Sequence, residues 1–169
     1  MDNTAEILAA TQPLIEQGWR NMAYRPTVSA VLTDKNGNVL LLDSGKWPNN
    51  ISFLQGGIEE DEDAVTALRR ELSEESGGVI VPDDVIVLKF LGFQDIDAET
   101  GRIDKRGFEK GKRYINLLAQ VKKSPGTFTS KEVIASHWVK PSDVEGMIPH
   151  ISEAKRELMM KVLLSSELI

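Results

Sequence analysis

Cysteine is absent from the 169 residues, so neither a disulfide framework nor a thiolate metal site can form, and a reducing compartment is compatible with the chain. Histidine is nearly absent. His137 and His150 are too few and too widely separated to suggest a histidine metal cluster or a Ser-His-Asp arrangement. No run approaches the roughly 20 apolar residues that a membrane span needs. Met1 to Trp19 carries Asp2, Glu6, Pro13 and Glu16 and has no basic head followed by an apolar stretch, so it does not read as a signal peptide. A soluble, cytoplasmic protein without a membrane partner is expected. Positive charge is in deficit: the net charge is -6 and the pI near 5.0, which works against attraction of a long nucleic-acid backbone and against stable DNA binding. A small phosphate ligand stays open, because a site-bound divalent cation outweighs the surrounding negative charge locally. The G-x4-G-K-[ST] pattern of a P-loop does not occur.

With 41% hydrophobic and 27% charged residues, the chain has ordinary globular composition and enough length to bury one sizeable core. Residues 4 to 18 have helical spacing interrupted at Pro13, which is expected to start a second short helix capped by Thr11. Thr27 to Thr33 and Asn38 to Asp43 are β-rich runs flanking Lys35-Asn36-Gly37, a strong hairpin signal. A short strand at Ile51 to Leu54 leads into Gly56-Gly57. Helical spacing from Asp63 to Ser76 then ends at Gly77-Gly78. Val85 to Phe93, Arg113 to Val121 and Val133 to Val139 are further strand candidates. Pro141 closes the last of these, and helical segments follow around Ser142 to Met147 and Ser152 to Leu163. This interleaving predicts an α/β fold, a mixed sheet with helices on its faces.

The Asp63–Ser76 helix concentrates the chemistry. With Glu71 set at zero on a wheel of about 100° per residue, Ala64, Val65, Leu68 and Leu72 fall within roughly 20° to 120° and face the core. Glu71 and Glu75 lie at the edge of that apolar stripe, whereas Asp63, Thr66, Arg69 and Ser73 occupy the outer face. No Lys or Arg stands at helical spacing toward the side of Glu71 and Glu75. Like charges at i,i+4 repel, and a partly buried unpaired carboxylate is costly. A hard cation resolves both problems, and carboxylate oxygens suit magnesium or manganese, magnesium being the default. The acidic run Glu59 to Asp63 reads chiefly as capping of the helix N-terminus.

Gly56 to Gly77 reads G-G-I-E-E-D-E-D-A-V-T-A-L-R-R-E-L-S-E-E-S-G, with Gly56, Glu62, Arg70, Glu71, Leu72, Glu74, Glu75 and Gly77 in the register G-x5-E-x7-R-E-U-x-E-E-x-G, U being aliphatic. The segment resembles the box of the Nudix hydrolases. The resemblance implies an α/β/α sandwich with a loop-helix-loop catalytic motif, preceded by a helical extension at residues 1–22, the Nudix-like domain being residues 23–169. It implies that Glu71, Glu74 and Glu75 hold metal, that the Gly56 carbonyl supplies a further ligand, and that Glu62 and Arg70 pair to brace the motif, which Gly77 closes. Arg70, Glu71 and Glu75 form the expected catalytic set, with Glu71 or Glu75 the candidate base.

Outside the box, Tyr24-Arg25-Pro26, Phe53-Leu54-Gln55-Gly56-Gly57-Ile58 and Glu132 ahead of Trp138-Val139 resemble the branch of RNA 5′-pyrophosphohydrolases and diadenosine tetraphosphate hydrolases. That likeness carries Glu132 over as an additional metal ligand or base. The chain departs from the branch at Leu54, Ile51, Asp43-Ser44-Gly45 and in the last helix, whose Ala154-Lys155-Arg156-Glu157-Leu158-Met159 lacks the branch's aromatics. Arg25 and Arg113, each beside a strand start, are the expected phosphate contacts. The basic segment Gly101 to Arg113 is a second source of cations, and Trp47 and Tyr24 are candidates for base stacking. The implied reaction is metal-dependent hydrolysis of a phosphoanhydride in a dinucleoside polyphosphate or at an RNA 5′-triphosphate end. A nucleoside triphosphate or ADP-ribose-type pyrophosphatase, or a non-catalytic nucleotide sensor, are the alternatives. The N-terminal stretch has three readings, a lid, a homodimer contact or a cover for the core, and the sequence leaves them open.

Overall fold

A computed structural model describes residues 3–45, 51–98, 104–123, 125–148 and 153–169. Trp47, Arg102 and His150 lie outside the described residues. Helix α1 (Thr4–Asn21) runs unbroken through Pro13. The expected break and Thr11 cap are therefore corrected: Thr11 is buried within the helix, and its hydroxyl donates to the Ile7 carbonyl at 2.7 Å. Proline removes one backbone donor, but burial of Ile7, Thr11, Ile15 and Gly18 along one face holds the helix on both sides of it.

Strand β1 (Tyr24–Thr33) turns through Asp34–Asn38 into β2 (Val39–Asp43). The turn is held by the Asp34 carboxylate, which accepts from the Asn36 and Asn38 amides at 2.8 and 2.9 Å, with Gly37 at φ 79°. Strands β3 (Ile51–Ser52) and β4 (Leu54–Gly57) precede helix α2 (Ala64–Glu75). Long strands β5 (Val85–Asp97) and β6 (Gly111–Val121) follow, then β7 (Ala135–Val139), the four-residue α3 (Val144–Met147) and α4 (Glu153–Ser165). Both long strands extend beyond their expected ends.

The sheet is mixed. β1 and β6 run parallel for ten residues, from Tyr24 opposite Gly111 to Thr33 opposite Gln120, and β5 lies antiparallel on the far side of β6. The other edge of β1 carries β4 antiparallel along Thr27–Ala30 and meets β2 at Thr33 opposite Val39. β2 in turn pairs with β3 and β7. Alternation along the strands divides the core in two. Val28, Ala30, Leu32, Leu40, Leu54, Ile115 and Leu117 pack with α1 and α2, whereas Val31, Leu41 and Phe53 pack with residues of α3 and α4. The result is the expected helix–sheet–helix sandwich. Helix α1 is part of it, with Ile7 and Ile15 in the first core. Among the described residues no helix is long and apolar enough to cross a membrane.

Because Ile15 is 1% exposed, Ile15→Ala is expected to cost about 3 kcal/mol of unfolding free energy, read by urea denaturation. A loss within experimental error would show that α1 is dispensable to the core.

Candidate active site

The loop-helix-loop is assembled by its own sequence. Asp63 caps α2, its carboxylate accepting from the Thr66 amide at 2.7 Å. At the other end Gly77 and Gly78 adopt φ of 62° and 84°, and the Gly78 amide returns to the Ser73 carbonyl at 2.8 Å. Between these stops Ala64, Val65, Ala67, Leu68 and Leu72 are buried.

Arg70 ties the motif together. Its Nε and Nη2 donate to the two oxygens of Glu62 at 2.7 and 2.8 Å, Nη2 also reaches the Gly57 carbonyl at 2.9 Å, and Nη1 donates to Glu71 at 2.9 Å. The hydrogen bonds from Arg70 hold the Glu62 carboxyl below the usual range, and Glu62 holds the guanidinium charged above its own. Arg70 is thus the cationic partner of Glu71 that wheel spacing excluded. Adjacent residues do not share a face, but the long side chain folds back across the rim. Arg69, assigned to the outer face, instead reaches the Val85 carbonyl of β5 at 3.0 Å and is part-buried.

The Glu71 side chain is 13% exposed. Burial pushes its carboxyl above the usual range, Arg70 opposes this, and the charges of Glu74 and Glu132 add to the rise. Glu71 presses against the loop glycine: a Cβ on Gly56 would fall 2.0 Å from its Cδ. The glycine is required by that approach, which brings the Gly56 backbone and the Glu71 carboxylate together. Glu74 is 60% exposed and 3.5 Å from Arg70. Glu75 is partly buried and lines a cleft of about 330 Å³ together with Gly56, Gly57 and Gln55. Glu132 stands exposed ahead of β7, near enough to act on Glu71 electrostatically.

The cations of the cleft follow strand parity. Arg25 and Lys112 are register partners on β1 and β6 and both line the cleft, as does Lys155 of α4. Arg25 lies over Gly57, where a Cβ would fall 2.0 Å from Nη2. Its Nε is buried without a hydrogen-bond partner among the described residues, and Nη1 is 3.8 Å from Asp104. Arg113, the other expected phosphate contact, is one residue out of phase and points to the opposite face. There it donates to both oxygens of Asp95 at 2.8 and 3.0 Å, to Gln17 at 2.8 Å and to the Leu14 carbonyl at 3.2 Å, pinning α1 to the sheet. Lys112 takes its place on the cleft side. The signal for it lay in alternation once the β1–β6 register is known. In the basic loop, Arg106 is paired with both oxygens of Glu59 at 2.7 and 3.1 Å, which ties that acidic residue to a partner beyond helix capping. Tyr24 donates to Asp97 at 2.6 Å and is not among the cleft residues.

The donor set fits a hard divalent cation in its chemistry: oxygen ligands only, with Glu71 seated against the Gly56 backbone. Among the described residues no three acidic or histidine side chains already converge at metal-ligand spacing. A cation would have to draw the rim carboxylates inward against their mutual repulsion.

Fold and site together define an α/β/α protein whose acidic loop-helix-loop is braced by an arginine beside a cationic cleft. The chain belongs to the Nudix family: residues 23–162 match the NUDIX domain. Hydrolases of this family generally depend on a divalent metal. The RNA pyrophosphohydrolase of Teredinibacter turnerae is 42% identical over 65 residues, covering 38% of this chain and 37% of that protein. That of Caulobacter vibrioides is 45% identical over 56 residues, covering 32% and 33%. The aligned stretch thus spans about a third of the length of these curated relatives. Among solved structures, the E. coli dihydroneopterin triphosphate pyrophosphohydrolase superposes with a TM-score of 0.63 at 16% identity, over 84% of this chain and 98% of that one. A C. elegans Ap4A hydrolase does so at 0.57 and 17%, over 83% and 96%. These likenesses show the fold.

Two outcomes follow from the bracing. Glu62→Gln is expected to cost about 2 kcal/mol at pH 7 by removing a charged partner of Arg70. Glu62 has a depressed folded pKa, so its contribution is full above the unfolded carboxylate pKa and is lost as pH falls through the folded value. The difference between wild type and variant therefore closes in acid, as thermal melts across pH 2 to 8 would show. Gly56→Ala, by displacing Glu71, is expected to weaken manganese binding about tenfold or more in an electron paramagnetic resonance titration. Gly146→Ala, where a Cβ meets nothing within 4 Å, is the unaffected control.

Proposed function

We propose that this chain hydrolyses a phosphoanhydride bond of a nucleoside polyphosphate with the help of a divalent cation, magnesium by default and manganese as the alternative. The carrying observation is the juxtaposition of the Arg70-braced carboxylate rim with a cleft lined by Arg25, Lys112 and Lys155. The substrate class is a dinucleoside polyphosphate or the 5′-triphosphate end of an RNA. The names of the partial-length curated relatives support the RNA end, and the net charge of -6 supports the small dinucleotide.

Glu71, Glu74, Glu75, Glu132 and the Gly56 carbonyl are the proposed cation ligands. A bound cation neutralises charge on the phosphate oxygens as the anhydride breaks. Arg25 and Lys112 hold the polyphosphate from the strand side, and Gly57 leaves room for the Arg25 guanidinium. Of the two candidate bases, Glu71 is pressed against Gly56 and is not among the residues lining the cleft, whereas Glu75 lines it together with Arg25 and Lys112. Glu75 is therefore assigned the attacking water: the water oxygen bonds to phosphorus, its proton passes to the Glu75 carboxylate, and the bridging P–O bond breaks to release a phosphate-terminated product. Arg70 positions this machinery without touching the substrate.

A panel of diadenosine tetraphosphate, triphosphorylated RNA, ADP-ribose and nucleoside triphosphates tests the reading. Turnover of one of the first two with magnesium, and none with chelator, is expected. Glu75→Gln should lower kcat by about 10² to 10⁴ with the fold intact by circular dichroism. Near-normal turnover by that variant would overturn the assignment of the base. Preferred cleavage of ADP-ribose or nucleoside triphosphates would move the chain to the alternative substrates, and binding without cleavage would make it a nucleotide sensor.

A further inference from the structure

The connection between β5 and β6 is basic in composition, yet what it presents to the arginine of the phosphate cleft is a carboxylate. Asp104 Oδ2 lies 3.8 Å from Nη1 of Arg25, the two side chains being 24% and 21% exposed. At that separation the charges attract without sharing a hydrogen bond. The seat of Arg25 is fixed from the other side, where a Cβ on Gly57 would fall 2.0, 2.5 and 2.8 Å from Nη2, Cζ and Nε, so the guanidinium rests against the glycine backbone. Asp104 therefore contributes charge to Arg25 more than orientation.

The carboxylate is fastened in place. Its Oδ1 accepts from the Arg106 amide at 2.7 Å, and the Gly107 amide returns to the Asp104 carbonyl at 2.9 Å, with Gly107 at φ 93°. This is an Asx turn, which aspartate and asparagine both support. Phe108, 1% exposed, follows the turn and meets the Trp19 ring edge-on at 5.1 Å, and the Glu109 amide donates to the Met22 carbonyl at 3.0 Å. Arg106 clasps both oxygens of Glu59 in the acidic loop. The turn is thus tied to the end of α1 and to the acidic motif, and its negative charge is a standing part of the surroundings of Arg25. Arg25 lines the cleft and Asp104 does not, so Asp104 leaves the space open and acts on a ligand through Arg25.

The geometry points to Asp104 as a specificity-determining residue, whose carboxylate competes with the ligand's phosphates for Arg25 and lowers the hold of the cleft on a bare phosphate chain. This deepens the function proposed above and rests on it for the phosphate chemistry of the ligand. A nucleotide held also by its nucleoside and by a cation at the acidic rim tolerates the loss, whereas a bare phosphate chain depends on the cleft cations alone. Opposing an unwanted ligand with a placed like charge is a general source of discrimination.

The test is calorimetric titration of the full chain with inorganic tripolyphosphate in the presence of chelator, so that neither turnover nor a bound cation enters. Asp104→Asn keeps the turn and removes the charge. It is expected to bind tripolyphosphate about fivefold more tightly than wild type at low salt, a gain that shrinks as sodium chloride rises from about 20 to about 300 mM. In an Arg25→Gln background the same substitution is expected to change affinity by less than about twofold, and Glu109→Gln, which removes a charge from the same loop away from Arg25, by no more than that. A merely structural role for Asp104 predicts weaker binding by the variant, and that result or an unchanged affinity would overturn the proposal. So would a gain that survives the loss of Arg25, an equal gain from Glu109→Gln, or no binding by either wild type or Asp104→Asn. Should Asp104→Asn not fold by circular dichroism, Asp104→Ser, which keeps a side-chain oxygen for the turn, takes its place. The expected gain, with no hydrolysis across the substrate panel under magnesium, would remove the proposed function and leave this inference standing. Hydrolysis by wild type with no gain in the variant would do the reverse.

Discussion

Arg70 is the one side chain on which the rest of the site depends. It joins three pieces of chain: the loop at Glu62, the end of β4 at Gly57, and its own helix neighbour Glu71. The guanidinium fork gives each partner a separate N–H, an arrangement a lysine cannot reproduce. Its electrostatic role matters as much as its reach. Glu71 is buried beside further acidic charge, and Arg70 supplies the opposing positive charge that keeps a carboxylate tenable there. The compensation is partial, since the Glu71 carboxyl still lies above its ordinary range.

Strand parity distributes the remaining parts. Arg25 and Thr27 on β1, Lys112 on β6, and Phe53, Gln55 and Gly57 in the β3–β4 segment share the side that lines the cleft. The alternate residues Val28, Leu54 and Ile115 go to the core beneath α1 and α2. The two loop glycines divide in the same way. Gly56 makes room for Glu71 on one side and Gly57 for Arg25 on the other. Acidic rim and cationic lining therefore approach the same loop from opposite faces of β4, and a one-residue slip in its pairing would exchange them.

The acidic motif was legible in the sequence because its determinants are local: Asp63, the apolar spacing of α2, Gly77 and the Arg70–Glu62 separation all lie within one loop-helix-loop. The strands and their order were legible for the same reason, through β-rich runs broken by turn residues. Arg113 was misplaced because choosing between neighbours at a strand start requires the β1–β6 register, which no local pattern carries. Pro13 misled because burial of Ile7 and Ile15 outweighed the lost donor, a tertiary effect.

The parallel alignment of β1 and β6 also bears on the order in which the molecule is built. β1 ends at Thr33 and β6 does not begin until Gly111, so the central contact of the sheet closes a loop that contains the whole acidic motif. Such a contact is entropically expensive and forms slowly. A nascent chain would thus expose the motif, its loop glycines and the inner edge of β1 on the ribosome well before Lys112 or α4 could emerge to complete the cleft. Binding competence arrives last, when the C-terminal half docks.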